Sequence, residues 1–185
     1  MNACRIVCAI LFLAGNLAVG QAEESKKEGV KLTDKNFRQI STTFLNDPAN
    51  KFAPNWSRLI VLFVLESKSV EVLLGKDEWT WTGLEGEHPH ATLLLAGYAS
   101  GNILSQMNSG VKRNDRYSGL LTLFRVYRTL RETDMEFKQI EAIDKLLKMH
   151  KENKLLAHLQ ELDTKKPEKL SPADEAILRN LIRIR

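Results

Sequence analysis

Glu85, Glu87, His88 and His90 crowd one short stretch, and all four are side chains of the kind that ligate metals. An extended backbone around Pro89 would point His88 and His90 the same way, presenting two imidazoles to zinc or another divalent ion. Structural zinc sites ordinarily add cysteines or a more regular spacing, and catalytic ones need a third ligand that this sequence does not indicate. The stretch therefore reads as an exposed loop running into a helix, with Glu87 or His88 near the cap. No metal and no other cofactor is expected.

The densest basic group is Arg125, Arg128 and Arg131, with Lys112, Arg113 and Arg116 just upstream. On a helix most of these form a solvated face, and Arg125 and Arg128 are the candidates for contact with an anionic partner. Arg131 differs, because helical spacing brings it near the apolar side of Leu120 and Phe124, where burial requires a carboxylate. Trp79 and Trp81 alternate with Thr80 and Thr82. From one face of a strand they would stack on sugar rings, but paired tryptophans more often close over a core, which is the reading preferred here.

Glu66-Ser67 directly follows the apolar run Leu59 to Leu65. At this one point the chain resembles the glycan-cleaving lytic enzymes of the bacterial envelope, which are helical, exported and place a catalytic Glu before Ser at the end of an apolar helix. The Gly-Leu-Met-Gln type motif that follows in those enzymes is absent, since Val70 to Gly75 continues into Lys76-Asp77-Glu78. A general acid also needs an apolar pocket to raise its pKa toward neutrality, so Glu66 reads first as an ordinary helix-end residue. His150 and His158 read as partly buried core histidines near helix ends. Asn55-Trp56-Ser57 matches the N-glycosylation pattern, with helix capping by Asn55 or Ser57 the preferred reading. The sequence carries no Gly-rich phosphate loop, nucleophile elbow or His-Glu-x-x-His motif.

These residues need elements to position them, and the stretch from His90 to Met107 is the one around which the others are arranged. It is apolar or small nearly all round, as a helix with neighbours on most sides must be. Gly97 and Gly101 stand four apart, with Ala96 and Ser100 beside them, so a partner backbone is expected to approach closely. Each interior glycine costs roughly 1 kcal/mol relative to alanine, which implies a packing role. About fourteen residues separate His90 from Gln106, too few for the roughly 20 of a membrane span.

The chain opens with Arg5, an apolar run from Ile6 to Leu13 and small residues at Gly20 and Ala22, the pattern of a secretory signal peptide over 1–22. Both cysteines, Cys4 and Cys8, lie inside it, so the remaining chain enters an oxidising compartment without disulfides and relies on a hydrophobic core. Removing the signal takes away one Arg and leaves 26 Lys and Arg against 23 Asp and Glu, a net charge of +3. That balance suits a secreted or periplasmic domain and does not point to nucleic acid, whose binders concentrate basic charge on one face.

Residues 23–32 are expected to be a flexible spacer, and 33–185 a single helical domain. Thr33 caps a helix carrying Phe37, Ile40, Phe44 and Leu45, a second follows from Trp56 to Glu66, and Pro89 suits the first turn of the central helix. Asn114 or Asp115 starts the next, with Leu120, Phe124, Tyr127 and Leu130 on one side. Ile140, Ile143 and Leu147 continue at helical spacing, broken near Asn153 before Leu155, Leu159 and Leu162. After Lys165-Lys166-Pro167, Ser171 and Pro172 open a last helix. Alternation over Val70, Val72 and Leu74, a Gly75 turn, then Trp79 and Trp81, suggests one short β-hairpin near 70–82. The expected fold is all-α or nearly so, with six to seven helices. The expected function is an exported, soluble, non-catalytic module that binds another envelope or extracellular protein. The alternative is a small glycan-cleaving envelope enzyme with Glu66 as general acid.

Overall fold

The computed structural model describes residues 32–84 and 88–164, together with Pro172, Ala176 and Ile177. The signal-type segment, the spacer up to Lys31, Glu85, Glu87, the 165–167 linker and most of the last expected helix lie outside the described residues. Seven helices occur among them, and the domain is all-α. They are α1 (Asp34–Asn46), α2 (Ala53–Glu66), α3 (Lys76–Trp81), α4 (Ala91–Ser109), α5 (Arg116–Thr133), α6 (Glu141–Lys151) and α7 (Leu155–Thr164). No helix among the described residues is long and apolar enough to cross a membrane.

α4 is the centre, with α5 and α2 packed on it, α1 on α2, α7 against α5 and α6, and α3 against α6. Its residues from Leu93 to Ile103 are buried without interruption, which no amphipathic helix could manage. The glycines explain how α5 comes so near. A Cβ at Gly97 would stand 2.9 Å from Val126 Cγ2, and one at Gly101 would overlap the Thr122 hydroxyl and the Ser118 carbonyl oxygen. α5 answers with Gly119, where a Cβ would lie 2.7 Å from the Tyr98 ring. At this separation Thr122 Oγ1 donates across the seam to the Gly97 carbonyl at 2.7 Å. The sequence reading assigned Gly97 and Gly101 to packing and did not single out Gly119, their counterpart.

Local signals set most helix ends. Thr33 Oγ1 accepts from Asn36 N at 3.3 Å, and Asp115 Oδ1 accepts from Ser118 N at 3.0 Å. Gly110, at φ +69°, ends α4 in the left-handed conformation that glycine adopts without Cβ strain. Asn153, at φ +57°, breaks the chain between α6 and α7. Two starts differ from expectation. α2 begins at Ala53, ahead of the expected caps, because Pro54 is tolerated in a first turn and the Asn50 side chain accepts from Phe52 N at 3.0 Å. Ser57 is buried inside it and donates back to the Pro54 carbonyl at 2.9 Å. α4 begins after His90, so Pro89 lies just outside the helix rather than in its first turn.

The expected β-hairpin near 70–82 is corrected by the structure. Residues 70–74 are extended, with Val70 buried and Val72 and Leu74 packed against the core, but no strand pairs with them among the described residues. Their hydrogen bonds run to side chains instead. Gln106 Oε1 accepts from Glu71 N at 2.9 Å, Gln106 Nε2 donates to Glu71 O at 2.6 Å, and Asn114 Oδ1 accepts from Leu73 N at 3.1 Å. The half of the hairpin containing the tryptophans is helix α3. Residues two apart on a helix point to nearly opposite sides, so a short helix buried on both sides mimics strand alternation. Trp79 and Trp81 are both buried this way.

Candidate functional site

Each candidate from the sequence has a definite place. Glu66 is exposed at the last residue of α2, outside any apolar pocket of the kind a general acid needs. Trp79 and Trp81 belong to the core and offer no open platform.

His88 and His90 do come together, and their ring centroids are 5.8 Å apart. Both are taken up by the loop between α5 and α6. His88 Nε2 meets the Lys138 carbonyl oxygen at 2.7 Å and its Nδ1 accepts from His90 N at 3.1 Å, which fixes the neutral tautomer with the proton on Nε2. His90 Nε2 pairs with Asp134 Oδ2 at 2.7 Å, and the Phe137 ring stacks on His90 with centroids 5.3 Å apart. Partial burial, despite the Lys138 hydrogen bond, holds the His88 pKa below its ordinary value, helped by the neighbouring His90 and Lys138 charges. The pair thus clasps the start of α4 to the 134–138 loop. No group of three or more metal-ligating residues occurs among the described residues.

The buried ion pair of the domain involves residues the sequence reading did not select. Arg116, read as part of a solvated basic face, is 6% exposed, and its Nε donates to Glu78 Oε1 at 2.7 Å; Glu78 is fully buried. Glu78 Oε2 also accepts from Gly75 N at 2.9 Å, and Arg116 Nη1 reaches the exposed Asp163 at 3.0 Å. Burial, the largest single influence, lowers the Arg116 pKa, but the Glu78 charge and hydrogen bond together with Tyr98 and Asp163 outweigh it and hold the guanidinium above its usual value. Tyr98 lies beside them, its hydroxyl buried without a hydrogen bond of good geometry, and burial followed by the Glu78 charge pushes its pKa well up. The available signal was Glu78 itself, a carboxylate set directly against two core tryptophans. This cluster ties α3, α5 and α7 together.

An open groove of about 440 Å³ lies between α5 and α6. Arg128 and Arg131 line its α5 wall; Asp144, Leu147, Lys148, His150 and Lys151 line its α6 wall. Arg131 finds the carboxylate its position demanded, with Nη1 3.2 Å from Asp144 Oδ1 and its guanidinium 5.3 Å from the Tyr127 ring centre. Asp144 also accepts from the Tyr127 hydroxyl at 3.2 Å. His150 is half-buried against Tyr117 and Phe124 at the inner edge, and His158 is half-buried on α7. Arg125 is exposed on α5 but does not line the groove. The structure therefore gathers one of the two named arginines, Arg128, and its helix neighbour Arg131 with two cations from a sequence-distant helix, Lys148 and Lys151. Its dimensions suit a small ligand or a short chain segment; sites of this kind run to about 300–1,000 Å³. Comparison with family models, with curated proteins and with solved structures gives no match in any of the three.

Proposed function

We propose that the chain is an exported, non-catalytic helical module whose work is to bind another protein of the cell envelope or extracellular space. The observation that carries this reading is the α5–α6 groove, a concave surface with an apolar floor at Leu147 and a cationic rim. Concavity with a few convergent polar groups is how binding sites usually present themselves. The other chemically able side chains, His88, His90, Glu78 and Arg116, are already engaged in joining helices to loops. Export is supported by the apolar run after Arg5 and the small residues ahead of Glu23. The test is to express the chain with its N-terminus intact, sequence the released protein, and capture partners from native extracts under stringent washing. Release beginning near Glu23 and stoichiometric recovery of one protein are expected. Retention inside the cell, or fragment release from purified peptidoglycan, overturns the reading.

A further inference from the structure

The cations around the α5–α6 groove are not equivalent. At one end Arg131 is neutralised by Asp144. Toward the other end Arg128, Lys148 and Lys151 are exposed and make no ion pair among the described residues. Glu152, just past α6, is bonded to Lys154 at 2.7 Å and acts on Lys148 only as a weaker, unbonded charge. Three like charges on facing helices repel one another, so an external anion placed among them is favoured.

We propose that this groove holds an extended acidic peptide segment of a partner protein, an inference that rests on the protein-binding reading above and gives it a ligand. Length supports a peptide. Asp144 to Lys151 is seven residue steps, about 10 Å at about 1.5 Å each, and an extended chain advances roughly 3.3 Å per residue, so about three residues fit. The composition of the walls decides between a peptide and a dense polyanion. Asp144 repels anionic groups at its end and Leu147 offers apolar contact, whereas a phosphate or sulfate polymer would bring charge to every position. Carboxylates near Arg128, Lys148 and Lys151, followed by an apolar or neutral residue over Leu147, match the groove from end to end. A guanidinium presents a fork that takes a carboxylate with two parallel hydrogen bonds, which suits Arg128 to the acidic end.

The probe is acetyl-Glu-Glu-Leu-Ala-amide, titrated into the full chain and followed in its amide NMR spectrum, with acetyl-Gln-Gln-Leu-Ala-amide and inorganic polyphosphate as separate arms. The glutamyl peptide should move the amides of α5 and α6 around Arg128 and Lys148. Its affinity should fall at least about fivefold between about 50 and about 300 mM salt, because the cations are exposed and screened. Lys148→Glu and, independently, Lys151→Glu should each weaken it about tenfold while leaving the rest of the spectrum unchanged. Absence of these shifts, equal binding of the glutaminyl peptide, or polyphosphate binding more than tenfold tighter than the peptide overturns the proposal. A native partner captured equally by wild type and Lys148→Glu, with the peptide silent, overturns the groove and leaves the protein-binding reading standing. A peptide that binds as described while no partner is captured has the reverse meaning.

Discussion

Placing one methyl group at Gly101 tests the account of how α4 and α5 meet. In Gly101→Ala the new Cβ overlaps the Thr122 hydroxyl and the Ser118 carbonyl oxygen and lies 2.9 Å from Thr122 Cγ2. A rotamer change can move Thr122, but Ser118 O is backbone, so the helices must part. Removing a helix-interior glycine gains about 1 kcal/mol. Against that, overpacking costs about 1–3 kcal/mol, occasionally more, and parting the helices stretches the Thr122–Gly97 hydrogen bond, which contributes about 1 kcal/mol. The net expectation is a loss of roughly 1–3 kcal/mol, or a Tm lower by about 2–12 °C at the roughly 2–4 °C per kcal/mol of a domain this size. Gly97→Ala is the built-in control. Its Cβ presses on the buried Val126 side chain at 2.9 Å and meets backbone only at Leu123 Cα, at the ordinary contact distance of 3.6 Å, so its stability should stay within about 1 kcal/mol of wild type. Circular dichroism melts of the three proteins decide the matter. A Gly101→Ala protein that melts at or above the wild-type temperature would refute the close-packed seam, and Gly101→Leu should not melt cooperatively at all.

Glu78→Gln leaves the buried Arg116 guanidinium with only the exposed Asp163, and should cost about 3 kcal/mol, the low end for breaking a buried pair, in urea unfolding. A loss near zero would mean that Asp163 alone suffices. His88 is held neutral, so its folded-state pKa lies below the ordinary 6.5 and the unfolded chain takes up the proton first. The stability it confers is complete above about pH 6.5 and is lost as pH falls from there through the folded-state value, so melts between about pH 7.5 and pH 5.5 should decline more steeply for wild type than for His88→Ala. The charged groups facing it, His90 and Lys138, are unchanged in that variant, and equal slopes would count against the clasp. Glu66→Gln should shift stability by less than about 0.5 kcal/mol, as surface substitutions do, and neither protein should release fragments from glycan. Release by wild type alone would restore Glu66 as a general acid.

Helix identity was legible wherever one period dominated the sequence. The unbroken apolar run with Gly97 and Gly101 announced both the central helix and its intimate neighbour, and Thr33 and Asp115 marked helix starts by side-chain chemistry that acts locally. Reading failed where burial came from two directions at once. Trp79 and Trp81 alternate because α3 is enclosed on both sides, and periodicity cannot separate that from a strand. It failed again where charge met charge across the fold. Helical spacing set Arg131 apart as the arginine near the apolar side and left Arg116 on the solvated face, whereas Glu78, 38 residues away, buries Arg116, and Arg131 meets Asp144, 13 residues away, at an exposed rim. The groove was half visible for the same reason, since Arg128 stood out but Lys148 and Lys151 belong to another helix.

The hold that Gln106 has on the extended segment bears on how the domain opens. In a sheet, each backbone amide is protected by a ladder, and releasing one residue loosens the next. Here Glu71 and Leu73 are protected by two side-chain acceptors, Gln106 Oε1 and Asn114 Oδ1, joined to each other through the Asn102 side chain rather than along a strand. Hydrogen exchange at these two amides should therefore report local events, with the segment lifting from α4 and returning while the helices stay intact. Gln106→Leu should accelerate exchange at Glu71 many-fold and leave the amides of the α4–α5 seam at their slow rates. If the seam amides accelerate in step with Glu71, the segment is an integral part of the cooperative core.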